Sequence, residues 1–464
     1  MPLSSLFNYV AKNMWINMIA QKLARNKQAV ILGCVTGFVM WALVGLHDVQ
    51  NVNFESWEVG SRDSMYTRKL QLNRQVMSGE TRQGVNLVAT THVGGRCVKK
   101  IMIFGDMSEM RNWPELRAIE GIFREEGGLW EGAVHCPAHG CNISLTLSND
   151  VSLMVGMDAV IIGMLPKVLE THLPALLRTN PAEGQTWIYF STETPFRVTV
   201  WSKTHTLRQL QYHKMMTYRR DADIYLPFGN FRNYLPGENK IMSKTRDYAA
   251  GKTDLIVWIA SNCGEVTWPR IPFMERLQEL LPVKAYGHCG NLTCLPERSE
   301  RCNLIMRKFK FYLALANSEC RDYITEKFWA NSLGYNIVPV VYGAPRADFE
   351  AIAPPDSFIH VSDFPSLEAL AEYIRFLDQD DSLYNAYFDW KKHGLVQQSF
   401  PITKDTICRV VPHIYNGTEQ KVHTIRESEW YNGCRKPISS IFGFAKERQY
   451  AQYSAWAPWE LESR

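Results

Sequence analysis

The sequence has no excess of charge of one sign. Its 51 Lys and Arg residues nearly balance its 47 Asp and Glu residues, leaving a formal net charge of +4 that is spread along the chain. Proteins that bind nucleic acids concentrate positive charge on one surface, so we exclude that class of function. The 464 residues also show no internal repeat and no low-complexity tract. A chain of this length suggests two domains with accessory segments.

The cysteines lack the spacing that zinc sites usually have. Four residues separate Cys136 from Cys141 and Cys289 from Cys294, whereas a zinc knuckle usually has the shorter C-x-x-C spacing, and no paired His residues lie nearby. We therefore predict no metal site. Apart from Cys34, ten cysteines remain, and their even number favours disulfides in an oxidising compartment, with the pairing left open. They are Cys97, Cys136, Cys141, Cys263, Cys289, Cys294, Cys302, Cys320, Cys408 and Cys434.

One apolar run, Ala29–Leu46, contains no charged residue and is just long enough to cross a bilayer. Basic residues precede it and acidic residues follow it, so the positive-inside rule places the N-terminus in the cytosol. These flanking residues are Lys22, Arg25, Lys27, Asp48, Glu55 and Glu58. We predict a single-pass signal anchor at residues 29–46, with a cytosolic tail at 1–28 and a polar stem at 47–91. A cleaved signal peptide and a buried core helix are the alternatives.

Three asparagines begin N-x-S/T sequons: Asn142, Asn291 and Asn416. A sequon can be glycosylated only in the secretory pathway. The orientation of the anchor and the number of cysteines indicate the same compartment. We therefore predict a glycosylated, disulfide-bonded body in the lumen, held to the membrane by a single span.

Short apolar runs suited to a buried parallel sheet define the first predicted domain, residues 92–239. The predicted strands are Ile101–Phe104, Asp158–Gly163 and Thr186–Phe190. A helical stretch is predicted between the first two of them, at Pro114–Glu126. This alternation of strands and helices is typical of α/β proteins.

The second predicted domain, residues 253–396, repeats the alternation and is followed by a less regular tail at 397–464. Its predicted strands are Asp254–Ala260, Phe311–Leu315 and Ile337–Gly343, with a helix near Phe273–Leu281. Leu367, Leu370, Ala371, Ile374 and Leu377 recur at helical spacing and predict an amphipathic helix that packs on the sheet. The sequence therefore predicts an α/β protein with two Rossmann-like halves that face each other across a cleft.

A polar loop, Asn317–Lys327, joins the strand Phe311–Leu315 to the next predicted strand. Loops that follow the carboxyl ends of parallel strands are where α/β folds bind nucleotides. Lys327 comes two residues after Thr325, a candidate helix N-cap, so a phosphate at this point would meet an ammonium group and a helix N-terminus. We predict that the chemistry of this protein lies here.

The segment Lys308–Ile374, which contains NSECRDYITEK and IVPVVYGAPRADFEAIAP, resembles the signature region of the α1,3-fucosyltransferases. The resemblance extends upstream to WIYFSTETP from Trp187, TYRRDADI from Thr217 and SNCG from Ser261, and it covers roughly residues 186–390. It implies a two-domain GT-B fold, GDP-fucose as the donor and inversion at the anomeric carbon. No cofactor is implied beyond the donor, and stimulation by a divalent cation is left open.

The resemblance also implies a role for each site residue. Glu193 matches the proposed catalytic base, in ETP where the family usually has ESP. Lys327 and Arg270 match the cations that bind the diphosphate, with Arg276 as the fallback for Arg270. The residues that resemble the nucleoside-binding set are Asn317, Tyr323 and Glu326, of which Glu326 would accept hydrogen bonds from the ribose.

The sequence departs from the family pattern at two places. The family commonly reads FENS where this chain has Leu315-Ala316-Asn317-Ser318, so Ala316 replaces a carboxylate that would help to order the donor site. The sequence Cys408-Arg-Val-Val411 stands where relatives often have CRVC, which puts the disulfides of the tail in doubt. Asp221 and Asp223 form a DxD pair, but the resemblance favours a structural or cleft-lining role for Asp223 over metal binding.

We therefore predict a type II Golgi membrane glycoprotein that transfers L-fucose from GDP-fucose to a GlcNAc of N-glycans. Within the family, SNCG, YGHCGNLTC and CRDYITEKF look most similar to members that modify the innermost core GlcNAc. Lewis-type transfer to antennal N-acetyllactosamine is the alternative. A lumenal binding protein that keeps the fold without catalysis is the alternative of a different class.

Overall fold

The computed structural model describes residues 97–203, 206–238, 246–295, 299–400, 402–417 and 420–435. All of them belong to one of the two units into which the chain divides, His92–Arg464. The predicted cytosolic tail, membrane span and stem lie outside the described residues, as does Cys34. Within the described ranges, no helix combines the length and the apolar character that a membrane crossing requires.

The first half of the described chain is built around a mixed sheet. Its elements are β1 (Cys97–Phe104), α1 (Met107–Arg111), α2 (Arg117–Glu120), β2 (Arg124–Glu126), β3 (Leu129–Cys136), β4 (Cys141–Ser148), β5 (Ala159–Ile162), α3 (Leu169–Leu176), β6 (Thr186–Ser191), α4 (Pro195–Ser202), β7 (Gln211–Tyr212), β8 (Lys214–Thr217), β9 (Ile224–Tyr225) and β10 (Gly229–Asn233). Eight strands form the sheet, in the order β2-β3-β4-β1-β5-β6-β8-β9. Strands β4, β1, β5, β6, β8 and β9 run parallel to one another. Strands β3 and β2 continue the sheet beyond β4 as an antiparallel edge.

The strands predicted in the first half are confirmed, and their burial explains their composition. Every residue of Ile101–Phe104, Ala159–Ile162 and Thr186–Phe190 is buried, as expected for the centre of a parallel sheet. The helix predicted at Pro114–Glu126 is wrong in its second part. After a 3-10 turn and α2, the chain enters β2 and reverses at Gly127 and Gly128, whose φ angles of 58° and 83° suit a hairpin turn.

The second half contains a fully parallel sheet. Its elements are β11 (Asp254–Ile259), α5 (Arg270–Leu280), β12 (Val283–Tyr286), α6 (Glu300–Met306), β13 (Phe309–Leu315), α7 (Glu326–Trp329), β14 (Val338–Tyr342), α8 (Arg346–Ile352), β15 (Ile359–His360), α9 (Leu367–Gln379) and α10 (Asp381–Ala386). The strand order is β12-β11-β13-β14-β15, so the direction of winding reverses between β11 and β13. The same type of order, β4-β1-β5-β6-β8, occurs in the first sheet. The predicted α/β class is confirmed.

Helix α9 has the amphipathic face that the sequence predicts. Ser366 caps it by accepting from the Ala369 N–H, and all five predicted apolar positions are buried in the core beside the second sheet. The other predicted helix of this half, near Phe273–Leu281, is confirmed as α5 and begins earlier, at Arg270. The two helices cover the same sheet because their apolar faces join one cluster with its strands.

The sequence predicts a less regular tail at 397–464. The described part of this C-terminal segment instead contains short helices and strands and returns to the first half. It contains β16 (Gly394–Gln398), α11 (Lys404–Cys408), β17 (His423–Thr424) and α12 (Glu429–Asn432). Strand β16 pairs antiparallel with β10, and β17 pairs antiparallel with β7, so the segment runs back to the first half. Apolar residues of the segment, including Ile407, Ile425 and Trp430, are buried in the cluster that holds the first sheet.

All ten cysteines outside the apolar run are paired. The five disulfides are Cys97–Cys141, Cys136–Cys408, Cys263–Cys289, Cys294–Cys302 and Cys320–Cys434. Cys408 and Cys434 therefore both form disulfides, which removes the doubt raised by the altered CRVV sequence. These two bonds attach the C-terminal segment to the first half and to the loop after β13, respectively.

Candidate active site

The candidate site begins where the strand order of the second sheet reverses. Doubly wound folds bind ligands beyond the carboxyl ends of the strands at this point. The loop after β11 includes Thr267, whose backbone N–H donates to the carbonyl of Asn317 in the loop after β13 at 2.9 Å. The Asn317 side-chain Oδ1 is buried and has no hydrogen-bond partner among the described residues. A buried acceptor without a partner at this position is available to a ligand that brings a donor.

Glu193 lies just beyond the carboxyl end of β6 in the first half. Its backbone is held on both sides, because its N–H donates to Ser191 Oγ at 3.1 Å and its carbonyl accepts from Ser191 Oγ at 2.8 Å. The indole Nε1 of Trp430, in the C-terminal segment, donates to the same carbonyl at 3.0 Å. Thr194 then caps α4. Contacts from β6, α4 and the C-terminal segment therefore fix the backbone of Glu193, from which its carboxyl group extends.

Tyr323 connects the two halves at the site. Its hydroxyl donates to Glu193 Oε2 at 2.8 Å, so a residue of the loop after β13 contacts the residue after β6. The ring is buried and packs against Tyr218 and Phe228 of the first half, with centroid distances of 4.9 and 6.3 Å. The hydroxyl therefore has little freedom to leave the carboxyl group.

A buried ion-pair network holds the backbone just before Tyr323. Asp322 has a φ of 60°, and its carboxylate accepts from Arg220 Nε at 2.6 Å. Asp348, which is fully buried, accepts from the Asp322 N–H at 2.7 Å and from the Arg321 guanidinium. The carboxylate of Asp322 therefore stabilises the left-handed turn that directs Tyr323 towards Glu193.

Burial raises the pKa of Glu193 above the usual value for a glutamic acid. The hydrogen bond from Tyr323 and the charges of Lys327 and Arg197 oppose this effect, while the Glu326 carboxylate adds to it. Burial also raises the pKa of Tyr323 well above its usual value, so this hydroxyl acts as a donor to the carboxylate. A raised pKa makes a carboxylate a stronger base, provided that it stays deprotonated at the working pH.

Lys327 and Glu326 form an ion pair beside Glu193. Lys327 Nζ lies 2.7 Å from Glu326 Oε1, and both side chains are about three-quarters buried. Burial alone would raise the pKa of Glu326, but the Lys327 ammonium and its hydrogen bond lower it. Thr325 is the N-cap residue, as the sequence suggests, but its side chain makes no capping bond and α7 has only four residues. A strong helix dipole at Lys327 is therefore not available, and the ammonium itself is the main positive charge.

Arg270 and its fallback Arg276 differ sharply in environment. Arg270 begins α5, is only 2 % exposed, and donates to the carbonyls of Leu315 and Asn262 at the ends of β13 and β11. Burial lowers its pKa to about 10. Arg276 is instead paired with Glu279 and Glu368 between helices α5 and α9. Arg270 therefore lies at the strand ends of the site and Arg276 does not.

Arg197 is a cation of the site that the sequence reasoning missed. It lies on α4, is largely buried, and forms an ion pair with Glu265 in the loop after β11. Its guanidinium also lies 4.5 Å from the ring centroid of Trp201, and its charge lowers the pKa of Glu193. The sequence feature that could have identified Arg197 is its position four residues after Glu193, which places it on the first turn of α4.

Ala316, the departure from the family pattern, is buried at the end of β13. Its carbonyl accepts from Trp268 Nε1 at 2.9 Å, and a Cβ built on Gly343 would lie 2.5 Å from its methyl group. A carboxylate is present three residues later, at buried Glu319, which accepts from Tyr342 Oη at 2.8 Å and from Arg435. The loop therefore has a buried, charge-paired carboxylate even though position 316 has lost one.

The DxD residues are engaged in ion pairs. Asp221 accepts from Arg219 at 2.6 and 3.1 Å, and Asp223 accepts from the Met215 N–H at 2.8 Å and from Lys214 at 3.2 Å. The contacts of Asp223 tie β8 to the turn before β9, which is a structural role. In the part of the chain that the structure describes, no group of three or more metal-ligating side chains comes together.

A small cleft borders Glu193 and is lined by residues of the first half and by Ile402 of the C-terminal segment. Trp113 and Trp201 form one wall, with ring centroids 4.9 Å apart and nearly perpendicular planes. Gly163 and Met164, at the end of β5, also line the cleft. The cavity volume of this cleft is about 20 Å³, enough for about one water molecule, so the cleft marks an opening beside the carboxyl group of Glu193 but does not enclose a sugar ring.

The three sequon asparagines, Asn142, Asn291 and Asn416, are all exposed, so their side chains are accessible for glycosylation. Asn142 lies on β4, and its Oδ1 is 2.7 Å from His135 Nδ1.

Two family profiles match the chain. Residues 109–229 match the N-terminal region of fucosyltransferases, and residues 249–430 match the C-terminal region of glycosyltransferase family 10 (fucosyltransferase). The chain is also 36% identical over 263 residues to alpha-(1,3)-fucosyltransferase 7 of Bos taurus, which covers 56% of this chain and 70% of that protein. The chain belongs to the family 10 fucosyltransferases. Both profiles include site residues, since the first covers Glu193 and the second covers the loop with Lys327.

Other relatives match over different lengths. The chain is 38% identical over 218 residues to glycoprotein 3-alpha-L-fucosyltransferase A of Drosophila melanogaster, covering 46% of this chain and 41% of that protein. It is 33% identical over 259 residues to alpha-(1,3)-fucosyltransferase 7 of Rattus norvegicus, covering 55% and 64%. A solved α1,3-fucosyltransferase structure with GDP-fucose aligns at 14% identity and a TM-score of 0.43, over 72% of this chain and 95% of that one.

Proposed function

We propose that this protein is an inverting α1,3-fucosyltransferase that moves L-fucose from GDP-fucose to a GlcNAc of N-glycans, with the innermost core GlcNAc as the preferred acceptor. The observation that carries the proposal is the 2.8 Å hydrogen bond from Tyr323 to Glu193. It brings a carboxylate base of the first half to the nucleotide-binding loop of the second. Family membership and the names of the relatives support the reaction.

In the proposed reaction, Glu193 takes the proton of the acceptor hydroxyl as the hydroxyl oxygen attacks the anomeric carbon of fucose. The bond from that carbon to the diphosphate oxygen breaks, and GDP leaves with the electron pair. Attack from the side opposite to the leaving group inverts the configuration. The raised pKa of Glu193 and the cleft beside it support its role as the base.

The donor half of the proposed site consists of the loop after β13. Lys327 would neutralise the diphosphate, Glu326 would accept from the ribose hydroxyls, and the unpaired Oδ1 of Asn317 would accept from the nucleoside. The guanidinium of Arg270 donates to two backbone carbonyls, so it would have to break these hydrogen bonds before it could bind a phosphate. Arg197 supplies a second positive charge on the opposite wall, so we include it among the diphosphate-binding candidates.

The proposed reaction needs no metal, because the cations of the site carry the positive charge that the leaving diphosphate requires. We further propose the GT-B arrangement of two domains at 92–239 and 253–396 and a type II Golgi location. The parallel sheets and the exposed sequons support these proposals. The C-terminal residues 397–435 would belong functionally to the acceptor half, since they pack there and Trp430 contacts Glu193.

The acceptor is tested with the full-length protein, GDP-fucose and two acceptors offered separately. One is a biantennary glycopeptide with a free core GlcNAc, and the other is N-acetyllactosamine. We expect fucose on position 3 of the innermost GlcNAc, identified by NMR linkage analysis, because SNCG, YGHCGNLTC and CRDYITEKF resemble the members that modify the core GlcNAc. Preferred transfer to N-acetyllactosamine would identify the Lewis-type alternative instead. Absence of acceptor-dependent GDP release with both would leave only the non-catalytic binding protein.

The hydrogen bond from Tyr323 predicts a specific pH effect. The base must be deprotonated, so kcat/KM should fall as the pH falls through the raised pKa of Glu193. Tyr323→Phe removes a donor that lowers this pKa, so the acid limb of the pH profile should move to higher pH. Tyr335→Phe, whose hydroxyl donates to Asn303, is the matched control and should leave the acid limb in place. Coincident profiles for Tyr323→Phe and the unaltered protein would contradict the assignment of Glu193 as base.

A further inference from the structure

A second cavity, of about 340 Å³, lies where the C-terminal segment crosses the second half. We call it the basic cavity and define it by Tyr234, Arg246, Tyr248, Trp390, Lys391 and Gln398. Its volume falls within the range of small-molecule sites in proteins. None of its lining residues belongs to the candidate active site. The Tyr323–Glu193 mechanism therefore leaves this cavity without a role.

The basic cavity contains two cations and no carboxylate. Arg246 and Lys391 line it, and no Asp or Glu lies among the described lining residues. Burial lowers the pKa of Lys391 to about 8, and the nearby charge of Arg246 contributes to the shift. Lys391 is partly buried and Arg246 is exposed, and an anion in the cavity would neutralise the charge of both.

The aromatic residues of the basic cavity also have unmet hydrogen-bonding groups. Tyr248 and Trp390 are only 8 % and 5 % exposed, and Tyr248 Oη and Trp390 Nε1 have no hydrogen-bond partner among the described residues. Buried polar atoms are rarely left without a partner in a folded protein. Both atoms belong to residues that line the cavity, and a ligand that carries hydroxyl groups or other acceptors would provide the partners that they lack.

The rings themselves are held in place. Tyr248 stacks on Phe388 at a centroid distance of 4.4 Å, and Trp390 meets Phe231 edge-on at 5.9 Å. Lys391 Nζ lies 5.4 Å from the centroid of Tyr248 and 4.9 Å from that of Trp390, and it donates to Asn336 Oδ1. The cations and the rings therefore converge on the same space. Aromatic walls with hydroxyl and indole donors suit the faces and hydroxyls of a sugar ring.

We propose that the basic cavity binds an acidic sugar, with Arg246 and Lys391 on its carboxylate or phosphate group and with Tyr248 and Trp390 on its ring and hydroxyls. The negative group provides the missing counter-charge, and the sugar hydroxyls provide the missing hydrogen-bond partners. Two sources share this chemistry: a free sugar phosphate and an acidic sugar residue of a glycan. The proposal does not depend on the reaction at Glu193.

The test uses the full-length protein and isothermal titration calorimetry in the presence of saturating GDP, which occupies the proposed donor site. The probes are glucose 6-phosphate, glucuronic acid, glucose and inorganic phosphate. We expect at least one acidic sugar to bind, glucose not to bind, and inorganic phosphate to bind more weakly because it lacks the ring. Tighter binding of glucose 6-phosphate would indicate a sugar phosphate as the source, and tighter binding of glucuronic acid would indicate an acidic glycan residue.

Lys391→Met is expected to weaken binding of the acidic sugar about tenfold or more, because it removes a charge-assisted hydrogen bond. Lys392→Met is the matched control, since Lys392 is exposed and paired with Asp389, and it should bind as the unaltered protein does. Arg246→Gln, at an exposed side chain, provides a second variant should Lys391→Met fail to fold, as judged from its Tm. The proposal is overturned if no acidic sugar binds with GDP present, if inorganic phosphate binds equally well, or if both cation variants bind like Lys392→Met.

Discussion

Glu193→Gln is expected to lower kcat for fucose transfer by about 10²- to 10⁴-fold, the usual contribution of a positioned general base. The amide has nearly the same shape as the carboxylate, and its oxygen can still accept from Tyr323. It has no charge with which to take the acceptor proton at neutral pH. The kcat loss is measured with saturating GDP-fucose and acceptor, and GDP-fucose binding is measured separately by calorimetry.

GDP-fucose affinity should remain close to that of the unaltered protein, because Glu193 belongs to the acceptor side of the site. Glu183→Gln is the matched control: Glu183 is exposed in the same half, shortly before β6, and its replacement should leave kcat unchanged. Turnover of Glu193→Gln at the normal rate would show that another group takes the proton. A large loss of GDP-fucose affinity would mean that Glu193 holds the donor instead.

Lys327→Met is expected to lower kcat/KM by about 10²- to 10³-fold, the range seen when one electrostatic contact to a developing charge is removed. The ammonium is the cation that pairs with Glu326 and also lies near Glu193, so it can face a diphosphate between them. Methionine keeps most of the length and apolar character of the stem. The charge on the leaving oxygen grows as the bond to fucose breaks, so kcat should fall in addition to donor affinity.

The loss is measured by steady-state kinetics with varied GDP-fucose, together with the Kd for GDP. Lys203→Met is the matched control, since Lys203 is an exposed lysine of the first half that pairs with Glu170. Lys327→Arg should recover part of the activity because it restores the charge with a different shape. Unchanged kinetics in Lys327→Met would remove Lys327 from the donor site and leave Arg197 and Arg270 as its cations.

The sequence predicted the elements of the site that depend on local order along the chain. The strands before Glu193 and before Asn317 are short apolar runs, and such runs form buried parallel strands whatever the details of their packing. Residues just after these strands therefore had to lie at one edge of each sheet. The amphipathic helix at Leu367–Gln379 was predictable for the same reason, because its period of apolar residues is a property of the sequence itself.

Other features were not predictable because they depend on contacts between distant segments. The stretch at Pro114–Glu126 has helical periodicity, yet its end pairs with β3 and forms a hairpin at two glycines. The pairing of β2 with β3 is therefore favoured over the weak helical preference of these residues. The ion pair of Arg197 could not be predicted because its partner, Glu265, lies 68 residues further along the chain, in the second half. The hydrogen bond between Tyr323 and Glu193 likewise joins residues of opposite halves.

The sequence by itself determined the family, the α/β class and the identity of the loop from Asn317 to Lys327, because each of these depends on residue order over short spans. Only the tertiary structure decided the pairing of the cysteines, the return of the C-terminal segment and the environments of the charged residues. In the sequence, Arg270 and Lys327 are both simply basic residues near the ends of strands. One is buried on backbone carbonyls and the other lies beside a carboxylate at the cleft, since burial and partners are set by how the two sheets pack.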